Sequence, residues 1–308
     1  MADYSEINDL NYSDDDAVDI RGLLISDAQG FSDGNVILRT DAEATKAQLE
    51  IDFNDIASLI DSSDDPTLTR FVFYFAGHGY GDGMGNPNGL PAVWQDYFND
   101  TPAGPEPQGA GMFTDYIFLH DLSLLGPVTV EDVELELKRA AESDADLAVN
   151  LEKIASRQKI VVIDACHSGG FIGTGTAVDS VPRAYDGDET GISFIDGLTA
   201  ITLYIESVLQ GPADIGPATA VITAAGEQEF SYEYSGGAGI ENGIFTHYFL
   251  EAPRFADINF DGYVTVSEAY GYTVRAIDAL ENPSLPGDLK FIPRLGTSGV
   301  DFVMFKVP

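Results

Sequence analysis

Cys166 is the single cysteine of a 308-residue chain, and His78 is one of its four histidines. Each closes a run of apolar, β-prone residues. Arg70–Ala76 (RFVFYFA) passes into Gly77-His78-Gly79, and Lys159–Ile163 (KIVVI) passes into Asp164-Ala165-Cys166-His167-Ser168-Gly169-Gly170. Continuous apolar runs of this length suit strands covered on both faces. Thiol catalysis needs a thiolate, an imidazole that takes the thiol proton and returns it to the leaving amine, and donors for the oxyanion. If the two runs are adjacent parallel strands, residues 88 positions apart in the sequence meet at the strand C-terminal ends, where open α/β sheets hold their sites. The flanking glycines permit close approach of a substrate backbone. Taken singly, Cys166 reads as a small core residue and His78 as a turn histidine; the paired strand-end motifs together point to a Cys–His dyad.

The elements that must position this dyad alternate between two periods. Helical spacing marks Ala17–Leu24, a segment beginning at Asp41, Val128–Ile154 and Phe194–Leu209. Strand patterns mark Asn35–Leu38, Tyr116–Leu119 and Ala218–Thr223 beside the two runs above. The stretch Gly79–Gly111 is too long for an ordinary connection. Strands alternating with helices predict an α/β fold whose central sheet is mostly parallel. The chain reads as one domain over 1–308, with residues 1–183 carrying the dyad and 184–308 forming the second part.

Charge removes several function classes. Asp and Glu number 51 against 15 Lys and Arg, a formal net charge of −36. Such a chain lacks the basic stripe of a nucleic-acid binder, and an anionic membrane surface repels it. With 44% hydrophobic and 11% aromatic residues it can still bury a core. The opening MADYSEINDLNYSDDD has no apolar centre and does not resemble a signal peptide. A soluble protein is expected, cytoplasmic in preference to secreted. Neither a G-x-S-x-G elbow nor a phosphate-loop ending is found.

RFVFYFAGHG followed by KIVVIDACHSGG resembles the caspase–metacaspase group of cysteine peptidases, and is most similar to its bacterial metacaspase or orthocaspase-type members. The resemblance extends from about Leu10 to beyond Thr246 and takes in ITAAGEQEFSYEY and GIFTHYFLE. It implies a caspase-like three-layer αβα sandwich with a mostly parallel central sheet. It also implies His78 as general base and acid, Cys166 as nucleophile, and the amides of Gly79 and Cys166 as the oxyanion hole. The family's opening apolar strand has no counterpart in the 13 residues before Asp14, so it is either missing or the fold is completed differently. Ala76 stands where related metacaspases often carry Ser.

Metacaspases have an acid where Asp164 lies, two residues before the nucleophile, and aligning the opening segment places Asp16 on a second. Two carboxylates favour a cationic substrate side chain, and Arg adds bidentate geometry over Lys. The expected activity is therefore endopeptidase cleavage of protein or peptide substrates after basic residues. The plainer alternatives are a backbone-capping role for Asp164 and a helix N-cap or a solvated acid for Asp16. Arg183 is the one Lys or Arg between Ile160 and Pro253, which makes Arg183–Ala184 a candidate autocleavage bond.

Asp257-Ile258-Asn259-Phe260-Asp261-Gly262-Tyr263-Val264-Thr265-Val266-Ser267-Glu268 matches a twelve-position EF-hand loop. Oxygen donors fall at Asp257, Asn259, Asp261, Thr265 and Glu268, the Tyr263 carbonyl supplies position seven, and Gly262 makes the turn. Ca²⁺ is the expected ion, with a helix following over Val266–Ala279; Pro253 interrupts the incoming segment, and a metal-free Asp/Gly turn is the alternative. The competing functional class is a catalytically silent caspase-like interaction module, or a calcium-binding scaffold domain.

Overall fold

The computed structural model describes residues 9–81, 91–100, 115–167, 218–225, 231–234, 240–285, 290, 292–298 and 301–308. Its centre is set by two apolar runs. β1 (Arg70–Gly81) and β4 (Gln158–His167) pair in parallel over ten register positions, from Arg70 opposite Gln158 to Gly79 opposite His167. β5 (Ala218–Thr223), buried at every position, pairs in parallel with β4. The flanks are antiparallel. β2 (Asp115–Phe118) joins β1 only at Gly79–Gly81, β3 (Ala141–Ser143) joins β2, and β7 (Arg294–Ser298) joins β5. The sheet order is β3-β2-β1-β4-β5-β7. β6 (Tyr263–Thr265) and β8 (Val303–Lys306) form a separate ribbon.

Successive residues of a strand face opposite sides, and the core divides accordingly. Phe71, Phe75, Val161, Ile163 and Val221 meet Phe53 and Ile60 of α2 (Lys46–Asp61) on one face. Ile160, Val162, Ala220 and Ile222 meet Ile20 of α1 (Ser13–Leu24) and Phe245 and Phe249 of α6 (Ile244–Phe255) on the other. Burying each such side chain is worth roughly 1.5–3 kcal/mol. The mixed α/β architecture with a parallel sheet centre and helices on both faces is thus as expected. Between the flanks lie α3 (Ala92–Asp100), α4 (Val130–Ala140), α5 (Asp144–Glu152) and α7 (Val266–Ala276). No helix among the described residues is long and apolar enough to cross a membrane.

Several local expectations are corrected. The helix over Val128–Ile154 is broken, because Ala141–Ser143 is drawn into the sheet beside β2 and Ser143 then caps α5 by accepting the N–H of Asp146 at 3.0 Å. The segment at Asp41 makes only a 3₁₀ turn; α2 begins at Lys46, capped by Thr45. Pro253 does not interrupt the helix before the calcium-like loop: α6 runs through it, and Pro253 stands in its last turn. Asn35–Leu38 is no strand: Asn35 ends a 3₁₀ turn, and Val36, though extended, pairs with no strand among the described residues. Part of the long Gly79–Gly111 connection is α3, anchored by fully buried Trp94, whose indole N–H donates to the Leu124 carbonyl at 2.9 Å. Phe194–Leu209 lies outside the described residues.

Candidate active site

The parallel register decides what can meet at the top of the sheet. Ala76 pairs with Asp164, Gly77 with Ala165, His78 with Cys166, and Gly79 with His167. Paired strands run roughly 4.8 Å apart, and paired positions share a face of the pleat. The two dyad positions therefore sit at the same level of adjacent strands. His78 is buried, at 2% exposure. Gly79, the expected oxyanion donor, is flanked by His167 on one side and Ile117 on the other. Cys166 is described by its backbone alone, and Arg183 lies outside the described residues.

One row below, on the same face, the structure assembles the two acids from distant segments. Asp164 projects from β4 and Asp16 from the first turn of α1, and both are almost wholly buried. They converge on Gly243, which caps the N-terminus of α6. A Cβ at residue 243 would stand 2.7 Å from Asp164 Oδ2 and 3.0 Å from Asp16 Oδ2, so only glycine fits between the two carboxylates without displacing them. Asp16 is not the N-cap of its helix; Tyr12 holds that position.

Several donors are aimed at the oxygens of this pair. The Gly243 N–H donates to Asp16 Oδ1 at 2.9 Å. Ser231 Oγ donates to Asp164 Oδ1 at 2.5 Å, while the Thr246 hydroxyl and N–H donate to Oδ2 at 2.7 and 3.3 Å. With its proton committed to Asp164, the Thr246 oxygen accepts from the Tyr74 hydroxyl at 2.6 Å. Two of these donors are free N–H groups of the first turn of α6, where the helix dipole favours an anion. Even so, burial pushes the Asp16 carboxyl up to about 9, and the neighbouring Asp164 adds to the rise. Burial raises Asp164 too, against the downward pull of its Ser231 and Thr246 hydrogen bonds. Burial and these two acids also raise the Tyr74 phenol. Two carboxylates this close cannot both ionise at neutral pH without a compensating cation.

Ser231, Gly243, Thr246 and Tyr74 went unassigned in the sequence. Ser231, Gly243 and Thr246 fall in or beside the downstream segments FSYEY and GIFTHYFLE, which were legible only as resemblance. Their physical task is now clear. Glu233 accepts the N–H groups of Asn11 and Tyr12 at 2.8 and 2.9 Å, and Asn242 donates to Asp19 at 3.0 Å, so these segments hold α1 and with it Asp16.

The calcium-like loop has turned in on itself. Gly262, at φ +85, donates to Asp257 Oδ2 at 3.0 Å, and the Asp261 N–H to Asp257 Oδ1 and Asn259 Oδ1 at 3.2 and 2.9 Å. Tyr263 donates its N–H to Asp261 at 2.8 Å. Glu268 serves as N3 of α7, its carboxylate accepting the Thr265 N–H at 2.9 Å in a capping box. Among the described residues no three His, Cys, Asp or Glu side chains converge as a metal-holding group. The donor types nonetheless suit a hard divalent ion, and the Asx turns already aim Asp257, Asn259 and Asp261 inwards.

No protein-family model matches the chain, and no curated protein matches it. A crystal structure of a protein from Geobacter sulfurreducens is similar to it at 17% sequence identity, over 95% of this chain and 86% of that one, with a TM-score of 0.48.

Proposed function

We propose that the chain is a cysteine endopeptidase of the caspase–metacaspase type that cuts after Arg, and after Lys second. The observation that carries this reading is the level pairing of His78 with Cys166 directly above the buried Asp16–Asp164 pair. A caspase-like αβα sandwich is the finer form of the fold that goes with it. In this reading His78 removes the Cys166 thiol proton, and the thiolate attacks the scissile carbonyl carbon. The oxyanion accepts from the amides of Gly79 and Cys166, and collapse expels the amine, which His78 protonates. Water, deprotonated by the same imidazole, then hydrolyses the thioester and returns Cys166. Asp16 and Asp164 receive the guanidinium of the residue before the bond, which takes the place of the proton that burial leaves on Asp16.

Fluorogenic peptides differing only in that residue test the proposal. Arginyl peptides are expected to turn over at least tenfold faster than lysyl ones, and aspartyl peptides not at all; preference for Asp would sink it. Intact mass of the same preparation checks the proposed self-cleavage after Arg183, which an Arg183→Ala chain is expected to lack.

A second reading concerns Asp257–Glu268, favoured by the inward Asx turns around Gly262. Asp257, Asn259, Asp261, the Tyr263 carbonyl, Thr265 and Glu268 would hold Ca²⁺, which on binding would supply a fixed cross-link between the end of α6 and the start of α7. Glu268 sits on α7, whose helix packs against α6, so the expected effect is structural. Adding Ca²⁺ is expected to raise the melting temperature of the wild type and leave Asp257→Ala unmoved; identical shifts in both would remove the site. Hydrolysis measured in the same titration shows whether calcium also governs activity.

A further inference from the structure

Behind the acid pair lies a cluster of phenols and a carboxylate that takes no part in the proposed chemistry. Glu281 closes a π-helical turn, Ile277–Glu281, that prolongs α7. Its Oε1 accepts the phenols of both Tyr234 and Tyr248, at 2.7 and 2.6 Å, and the two phenol oxygens stand 3.3 Å apart. The His247 ring meets both tyrosine rings edge to face, at 5.6 and 4.9 Å between centroids. A carboxylate near a helix C-terminus works against the helix dipole, and these two donors offset that cost. Tyr272 of α7 donates to Glu251 of α6 at 2.7 Å, which pins the helix that carries Glu281.

The two phenols belong to the two elements that surround the acids. In the segment 231–234 the side chains alternate. Ser231 and Glu233 turn towards Asp164 and the start of α1, Tyr232 and Tyr234 towards the core and Glu281. Gly243 and Thr246 face the acids from the start of α6, while Tyr248, two residues on, reaches back to Glu281. The segment and α6 are joined by the bridge of Glu233 opposite Gly243 and by the Ile244 N–H, which donates to the Tyr232 carbonyl at 2.7 Å. Glu281 is a side-chain tie across this same joint. The donors to Asp164 come from both sides of the joint, and the donor to Asp16 is Gly243 within it.

We propose that Glu281 sets the preference for Arg over Lys, by holding segment 231–234 against α6 so that Asp16 and Asp164 keep a fixed spacing. This role rests on the peptidase reading, in which the two acids receive the substrate cation. Arg presents a planar fork that must meet both carboxylates at once, whereas the Lys ammonium is a compact point charge on a flexible stem. Acids that drift apart lose the fork and keep most of the attraction for the point charge. Glu281 acts only through Tyr234 and Tyr248 on the elements that hold the acids, so it is a positioning residue.

The test uses the full chain with arginyl and lysyl peptides that are otherwise identical. In the Cys166→Ala protein it compares benzamidine with benzylamine by calorimetry. Glu281→Ala is expected to raise KM for the arginyl peptide at least tenfold and to leave kcat within about threefold. The lysyl peptide should move by less than about threefold, so the Arg-to-Lys ratio falls towards one. Benzamidine binding should weaken in step, and benzylamine binding should hold. Glu281→Gln keeps an accepting oxygen and is expected to restore the ratio to within about threefold of the wild type. Tyr234→Phe removes one phenol and leaves the ring; it should lower the ratio in the same direction, and it decides the matter should Glu281→Ala not fold. An unchanged ratio in these variants overturns the proposal. So does an equal loss on both peptides, which marks a residue that only stabilises the fold. A Cys166→Ala protein that binds neither amine refutes the cation pocket and the role of Glu281 with it. A chain that binds benzamidine but cuts neither peptide refutes the peptidase alone, and the two amines then decide the role of Glu281.

Discussion

Cys166→Ala is expected to lower kcat/KM for an arginyl peptide by roughly 10⁴- to 10⁶-fold, the range found when a covalent nucleophile is removed from a working constellation. The change is small in volume and leaves the β4 ladder, which is built from backbone, intact. His78→Ala is expected to cost nearly as much, because without the imidazole the thiol is neither deprotonated nor able to release a protonated amine. The double variant should be no worse than either single one, since residues acting as a unit are not additive. Peptide turnover, alkylation of Cys166 and a melting curve for each variant make the measurement. Retention of more than about a tenth of the wild-type rate in either single variant would exclude the dyad as the catalytic unit. The same data weigh against a catalytically silent interaction module, which predicts no rate to lose.

Asp16→Asn separates specificity from stability. Truncating one member of a buried charge pair costs on the order of 2–5 kcal/mol of binding, so kcat/KM on arginyl peptides should fall about 30- to 5,000-fold. Stability should move the other way. The Asp16 carboxyl is raised to about 9 by burial and by Asp164, well above its ordinary value, so the folded chain holds a proton that the unfolded chain releases. Stability from this group is therefore complete below about pH 4, declines as pH rises, and is lost above about 9. Asparagine keeps the bond from the Gly243 N–H and removes that decline. A gain of roughly 1–3 kcal/mol at neutral pH is expected, with a flatter dependence of melting temperature on pH between 5 and 9. The ligand side of the same linkage is that a guanidinium must displace the proton. Benzamidine binding to the Cys166→Ala protein should release up to one proton and tighten by up to tenfold per pH unit below 9. Calorimetry in buffers of different ionisation enthalpy reads that proton directly; no release would show that the pair does not receive the cation. Gly243→Ala should lose arginyl turnover as Asp16→Asn does, but with a loss of stability, because its Cβ would press on both carboxylates.

The strands that carry His78 and Cys166 were legible because apolar side chains fill both of their faces. Each face of RFVFYFA and KIVVI packs into one of the two cores, so their apolar character is continuous. Pairs made across a strand order are not so written. Nothing in Val128–Ile154 says that Ala141–Ser143 leaves the helix, since the pull comes from β2, another element altogether. Asn35–Leu38 has the composition of a strand, yet Asn35 closes a 3₁₀ turn and Val36, though extended, pairs with no strand among the described residues. Residue type alone equally left Asp16 as a helix cap or a solvated acid, in a chain where acids are everywhere.

By itself the sequence determined the chemistry on offer: one thiol and one imidazole closing two apolar runs, a loop of hard oxygen donors, and a large excess of acid. The tertiary structure decided which of those acids matter. It did so by closing α1 and α6 over the sheet, so that two of 51 carboxylates lose their water beside Gly243 and must hold a proton or find a cation. Desolvation is a property of what surrounds a residue in space, and no spacing along the chain encodes it.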